Sequence, residues 1–269
     1  MTIQCNPHAK PRAPGDVTFL GAGPGDPELL TLRALKLLEA ARVVIHDRLV
    51  SPEILALINP AAKILEAGKR GFGPATPQTR INALIVAEAR SGQPVIRLKG
   101  GDPVLFGRLD EEIDAVEGAG LQWQIVPGIT AASAASAAIG QSLTRRARNG
   151  SVRFITGHDM EGFADHDWRA LSQPGAVTAV YMGKAAARYL QGRLMMHGGR
   201  PDTPVTLVEN ASTPHERILG STVARFPVDL AEAALEGPAL ILLGLAPRAA
   251  QAARPETLHH QEELVAHAP

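Results

Sequence analysis

Short apolar runs alternate with helix-sized segments along most of the chain, and this alternation constrains the fold more than any single motif. The runs VTFLGA, RVVIHD, AKILEA, PVIRLKG and QWQIVPG read as strands. Between them lie PELLTLRALKLLEAA, SPEILALI, PQTRINALIVAEARSG and FGRLDEEIDAVEGAG, which read as helices. Strands spaced by helices predict a parallel α/β sheet, because parallel neighbours need a long crossover. The fifth strand runs into ITAASAASAAIG, a helix of small side chains that let a backbone or a ligand come close. A second series begins near residue 151 with SVRFITGH, GAVTAVYMG, TPVTLVENAS, RILGSTV and PALILLGLA, and helices fit at 184–198 and 228–236. Only TPHE separates TLVENAS from RILGSTV, which suits a hairpin and makes the second sheet mixed. The expected organisation is a tail at 1–15, an N-terminal α/β domain at 16–145, a C-terminal α/β domain at 146–247 and a tail at 248–269. The boundary falls in the polar, basic QSLTRRARNG.

Composition narrows the function. Apolar residues make up 45% of the chain, enough for real cores. Lys plus Arg and Asp plus Glu both number 27, so no net field draws nucleic acid or a membrane, and neither is expected as a partner. Cys5 is the one cysteine, which excludes an internal disulfide and a cysteine-based metal site. His259, His260 and His267 read as solvated tail residues, since a metal needs fixed geometry, and no metal is expected. No apolar run nears the roughly 20 residues of a membrane span. The first residues lack the apolar core of a secretory signal, so a cytoplasmic protein is expected.

Ligands of open α/β sheets bind beyond the carboxyl ends of the strands, so those ends carry the search. After the first strand comes GAGPGDP. Gly21 and Gly23 fit a dinucleotide fingerprint, but Asp26 stands where its third glycine would be. Pro24 and Pro27 remove backbone N–H donors, and a carboxylate repels an anion. The loop is a poor pyrophosphate cradle and a good tight turn, with Asp26 and Pro27 suited to start a helix. At the second strand end, Asp47 reads equally as a base, a ribose ligand or a cap. Lys69 and Arg70 follow the third strand and could meet an acidic substrate. The fourth end, GGDPVLFGR, is the strongest: glycines admit a ligand to the main chain, and Asp102 can accept hydrogen bonds from hydroxyl or amino groups. At the fifth, Thr130 can cap the alanine-rich helix, and Thr130, Ala131 and Ala132 form a thin wall suited to an adenine or a thioether chain. Met182, at a later strand end, reads first as core. Arg145, Arg146, Arg148 and Arg153 cluster at the domain junction, as a solvated loop or as a site for an anionic partner. No nucleophile elbow, HExxH or phosphate-loop lysine motif occurs.

Taken together, GAGPGDPELLTLRAL, HDRLVSPEIL, GKR, VIRLKGGDPVLFGR, VPGITAASAAS, TGH, YMG and ENAS resemble the uroporphyrinogen-III C-methyltransferases, in family order over roughly residues 16–247. These are S-adenosylmethionine-dependent tetrapyrrole methylases. The resemblance implies two α/β domains with an active-site cleft between them, and a homodimer. It implies transfer of two methyl groups to C2 and C7 of uroporphyrinogen III, giving precorrin-2 for sirohaem, cobalamin or haem d1, with S-adenosyl-L-homocysteine as by-product. Carried over by motif, cofactor contacts are Pro24, Gly100, Gly101, Asp102, Leu105, Thr130, Ala131, Met182, Ala211 and Ala239. Asp47 and Lys69 match the proton acceptor and donor, and Arg108, Glu111, Arg146 and Met182 match positions that meet the tetrapyrrole.

The chain also departs from the family. Leu109 and Asp110 stand where it has small residues, Arg145 replaces a histidine, and His46 replaces a tyrosine beside Asp47. The chemistry suits these parts. A sulfonium methyl is already activated, so orientation supplies most of the rate, arginines suit a carboxylate-rimmed substrate, and one base must take a proton. Asp47 and Arg108 are the rivals for that step, and a guanidinium with a pKa above about 12 is a poor base, so Arg108 is expected to orient. Another tetrapyrrole methylase, such as one acting on precorrin-4, shares the general motifs. A methylase acting on rRNA or on a modified histidine, and a non-catalytic tetrapyrrole-binding protein, are the remaining alternatives.

Overall fold

The computed structural model describes residues 15–67, 77–159 and 162–248. Lys69, Cys5 and the three C-terminal histidines named above lie outside them. The first series forms β1 (Val17–Gly21), α1 (Leu32–Glu39), β2 (Val43–His46), α2 (Pro52–Leu55), β3 (Lys63–Glu66), α3 (Gln78–Arg90), β4 (Val95–Lys99), α4 (Leu109–Gly118), β5 (Trp123–Val126) and α5 (Ala131–Ala138). Its strands form a parallel sheet in the order β3-β2-β4-β1-β5. β1 and β4 are buried at every position, as strands covered on both faces must be. One face packs Leu20, Ile96 and Leu98 on α1 and α2. The other packs Phe19, Ile45 and Val95 on α3 and α4.

The second series forms β6 (Arg153–Thr156), α6 (Trp168–Leu171), β7 (Thr178–Tyr181), α7 (Ala187–Met196), β8 (Pro204–Glu209), β9 (Arg217–Thr222), α8 (Phe226–Glu232) and β10 (Ala239–Leu243). This sheet is mixed, in the order β6-β7-β10-β8-β9, and β8 and β9 make the expected antiparallel pair. The fold is thus the two-sheet α/β arrangement read from the sequence. No helix among the described residues is long and apolar enough to cross a membrane.

Three local features differ from expectation. Asp26 caps only a single 3-10 turn, Pro27–Leu29, accepting from Glu28 N at 2.8 Å. Leu30 is extended, and α1 starts again at Thr31, whose hydroxyl accepts from Ala34 N. Two capping residues five positions apart divide a segment that the apolar period presents as one helix. The short α6, capped by Asp167, forms where no helix was expected. Finally, α5 packs on the second sheet. Ala132, Ala135 and Ile139 cluster with Ala179, Val208, Leu240 and Leu242, so the alanines bring the helix close to strands that follow it by forty residues or more.

Candidate active site

β1 sends its chain to α1 on one face and β4 sends its chain to α4 on the other, so a crevice opens beyond their carboxyl ends. The loops there are tied together. Gly23 N–H donates to Gly101 O at 3.0 Å, and Gly101 N–H donates to Gly23 O at 2.7 Å. A Cβ on Gly21 would sit 2.5 Å from Gly128 N, and one on Gly128 would sit 2.3 Å from Gly101 O. Only glycines allow the loops after β1, β4 and β5 to meet, and on the Cβ side of Gly101 nothing lies within 4 Å, so a ligand can approach the main chain there. Asp102 stands in this loop. One of its oxygens accepts from Val104 N at 3.1 Å, and a carboxylate has acceptor sites to spare.

The second sheet presents a matching edge. β6, β7 and β8 run the same way, while β10 runs opposite, with its first residue, Ala239, in register with Glu209 at the end of β8. Met182, Ala211 and Ala239 therefore share one edge. Met182 is 53% exposed with φ 53°, so it is no core residue. Its carbonyl accepts from His158 Nδ1 at 3.1 Å and lies where Gly157 has no side chain. A non-glycine residue held left-handed at a strand end marks a place where surrounding contacts impose the shape.

The two edges face and touch. Asp26 N–H donates to Ser212 Oγ at 3.2 Å, and Gly25 lies against Thr213. The Tyr181 hydroxyl lies 2.5 Å from Thr130 Oγ1 and accepts from Ala132 N at 3.2 Å. Thr130 thus stands at the N-terminus of α5 without capping it by its side chain, contrary to expectation, because Tyr181 takes its hydroxyl. Pro24, Gly100, Gly101, Asp102, Leu105, Thr130 and Ala131 line one edge in this way, and Met182, Ala211 and Ala239 the other.

Asp47 sits at the end of β2, where its carboxylate accepts from Gly100 N at 3.2 and 3.3 Å and from Leu49 N at 3.0 Å. It is thereby fixed to the same glycine loop. Arg108, with φ 52°, forms a two-pronged pair with Glu111, both bonds 2.7 Å. The hydrogen bond that Arg108 donates to Glu111 raises the Arg108 pKa, and the same bond lowers that of Glu111. Both side chains are half exposed, open to a further carboxylate. Arg146 is exposed in the junction loop. The hydrogen bonds that knit that loop run through Asn149, Arg145 and Arg148 instead. Among the described residues, no group of three or more His, Cys, Asp or Glu could hold a metal.

Sequence reasoning missed two parts. Beneath the glycine loop, Glu112 is buried between Arg97 Nε at 3.0 Å and Lys99 Nζ at 2.8 Å. Burial lowers the Lys99 pKa, and the neighbouring Arg97 charge lowers it further. Lys99 Cε also lies 3.0 Å from where Gly107 would carry a Cβ, so the FGR turn rests on this lysine. The signal was present: two cations spaced by one residue on a buried strand demand an anion nearby. The other missed part is Tyr181 with Phe106, whose rings lie 5.1 Å apart.

The profile of the tetrapyrrole (corrin/porphyrin) methylases matches residues 16–227. A sirohaem synthase of Azotobacter vinelandii is 44% identical over 236 residues, covering 88% of this chain and 51% of that protein. One of Pseudomonas fluorescens is equally similar, over the same shares. The chain spans about half the length of these curated relatives. Among solved structures, uroporphyrin-III C-methyltransferase of Thermus thermophilus, complexed with S-adenosyl homocysteine, superposes with a TM-score of 0.72 at 36% identity, over 85% of this chain and 97% of that one. A cobalt precorrin-4 methyltransferase superposes with a TM-score of 0.76 at 27% identity, over 86% and 95%. With its profile matched over most of its length and its strand-end loops meeting in one cleft, the chain belongs to the tetrapyrrole methylases.

Proposed function

We propose that the chain transfers two methyl groups from S-adenosylmethionine to C2 and C7 of uroporphyrinogen III, giving precorrin-2. The observation that carries this reading is the facing of two strand edges, one glycine-lined and bearing Asp102, the other bearing Met182, in a chain 36% identical to the Thermus enzyme. The cleft fits the donor. Open main chain at Gly101, where a Cβ would meet nothing within 4 Å, suits a flat, uncharged base and a ribose, while the Asp102 carboxylate suits hydroxyls and a cation and disfavours phosphate. Bound there, S-adenosylmethionine supplies an activated methyl group.

In this reading Pro24, Gly100, Gly101, Asp102, Leu105, Thr130, Ala131, Met182, Ala211 and Ala239 hold the donor. Arg108 and Arg146 orient the carboxylates of the tetrapyrrole, with Glu111 setting the plane of the Arg108 fork. Asp47 takes the proton that the methylated ring must lose, at a carboxylate oxygen. Its bonds to Gly100 N and Leu49 N keep it beside the glycine loop. Arg108 does not compete for that proton, because Glu111 strengthens its hold on its own. Lys69 is the proposed donor. The two domains, 16–145 and 146–247, close the cleft, and a cytoplasmic homodimer completes the reading, to be checked by sedimentation at several concentrations.

Incubation with S-adenosylmethionine and uroporphyrinogen III should yield a doubly methylated product, seen by absorbance and mass. A second reading, action on precorrin-4, draws on the 0.76 TM-score with the cobalt precorrin-4 enzyme. Methylation of precorrin-4 alone would establish it, and binding without transfer would point to a carrier.

A further inference from the structure

Tyr181 is the last residue of β7 and half-buried on the sheet face that carries α5. Its phenolic oxygen accepts the Ala132 N–H at 3.2 Å, and its hydroxyl pairs with Thr130 Oγ1 at 2.5 Å. The first turn of any helix leaves N–H groups without partners, and Thr130 makes no side-chain cap. Tyr181 therefore caps α5 from across the cleft. Its ring meets Phe106 at 5.1 Å with a 48° tilt and Phe154 edge-on at 6.3 Å. Phe106 and Arg108 both have positive φ, so the turn they share holds its shape only against a firm neighbour. The chain then leaves Tyr181 directly into Met182, which is fixed by His158 and Gly157.

One side chain thus reaches the loops after β4 and β5 and sets the start of the loop after β7. These three loops carry Asp102 and Leu105, Thr130 and Ala131, and Met182. We propose that Tyr181 is a positioning residue for the methyl donor, holding the α5 N-terminus and the turn at Phe106 at the separation the donor requires. The proposal rests on the methyl-donor reading given above. Burial raises the phenol pKa, so the hydroxyl stays protonated and keeps its hydrogen to share with Thr130.

Tyr181→Phe keeps the ring contacts and removes both hydroxyl bonds. Calorimetry with S-adenosylhomocysteine should show binding weakened about 3- to 10-fold, from the net worth of one or two hydrogen bonds. KM for S-adenosylmethionine should rise in parallel, while kcat at saturating donor stays within about twofold. Thr130→Val removes the same bond from the other side, so Tyr181→Phe should cost less in that background than in the wild type. A folded Tyr181→Phe variant with wild-type affinity overturns the proposal, even if its melting temperature falls, because that outcome describes a packing residue only. A wild-type protein that fails to bind S-adenosylhomocysteine overturns the donor reading and this proposal together, and is recognised without any variant.

Discussion

Gly128 has no room for a methyl group: its Cβ would lie 2.3 Å from Gly101 O and 3.0 Å from Gly21 Cα. Backbone cannot move aside as a side chain can, so Gly128→Ala should cost about 1–3 kcal/mol. It should also abolish S-adenosylhomocysteine binding by prising the strand-end loops apart. Urea unfolding and calorimetry on one sample read both effects. Asp102 and Arg108 separate the two ligands. Asp102→Ala should weaken S-adenosylhomocysteine about tenfold or more, as loss of a charged hydrogen-bond partner does. Arg108→Ala should leave that affinity unchanged and raise KM for the tetrapyrrole. The opposite pattern would exchange their roles. At this scale the GAGPGDP and GGDP motifs were legible as ligand-facing turns. Their second reason was not: Gly21, Gly101 and Gly128 lie more than a hundred residues apart at the extremes, and their mutual packing exists only once β1, β4 and β5 are neighbours.

Between β4 and α4 the determining contact is ionic. Arg97, Lys99 and Glu112 are each less than 5% exposed, with two cations sharing one carboxylate. Removing that carboxylate leaves both cations buried without it, so Glu112→Gln should cost about 3–5 kcal/mol by urea unfolding. Lys99 gives the pH dependence its sign. Its folded pKa lies below the ordinary lysine value, so between those two values the unfolded chain binds more protons. Stability attributable to this group therefore rises as pH climbs through that interval. Lys99→Met should flatten this alkaline rise while leaving an Arg97–Glu112 pair intact, as urea midpoints at a series of alkaline pH values would show. The strand itself was readable from its apolar run. Its ionic partner was not, because Glu112 sits in a run of acids, LDEE, of which Asp110 and Glu111 face solvent. Helical phase and packing against β4 decide which of them turns inward. Thr130 repeats the lesson: as a helix-start threonine it reads as a cap, and Tyr181, fifty-one residues later, diverts it.

Across the whole molecule, the helix that leads out of the first sheet packs into the core of the second. Cluster members come from α5 of the first series and from β7, β8 and β10 of the second, and Arg248 N–H donates to Ile139 O at 3.1 Å. Heating should therefore give a single calorimetric transition, with no separate melting of the halves. S-Adenosylhomocysteine at 100 times its Kd should stabilise that transition by about 2.7 kcal/mol. Two resolved transitions, with only the first shifted by ligand, would contradict a site built from both edges. The alternation of strand and helix, the hairpin after TLVENAS and the glycine-rich strand ends are properties of the sequence itself, because backbone periodicity and turn chemistry act over a few residues. Which strands lie side by side, which acid is buried, and that a tyrosine of one sheet holds a helix leading from the other were settled only by the tertiary structure. They depend on close packing between segments far apart in the chain, and no local pattern encodes that distance.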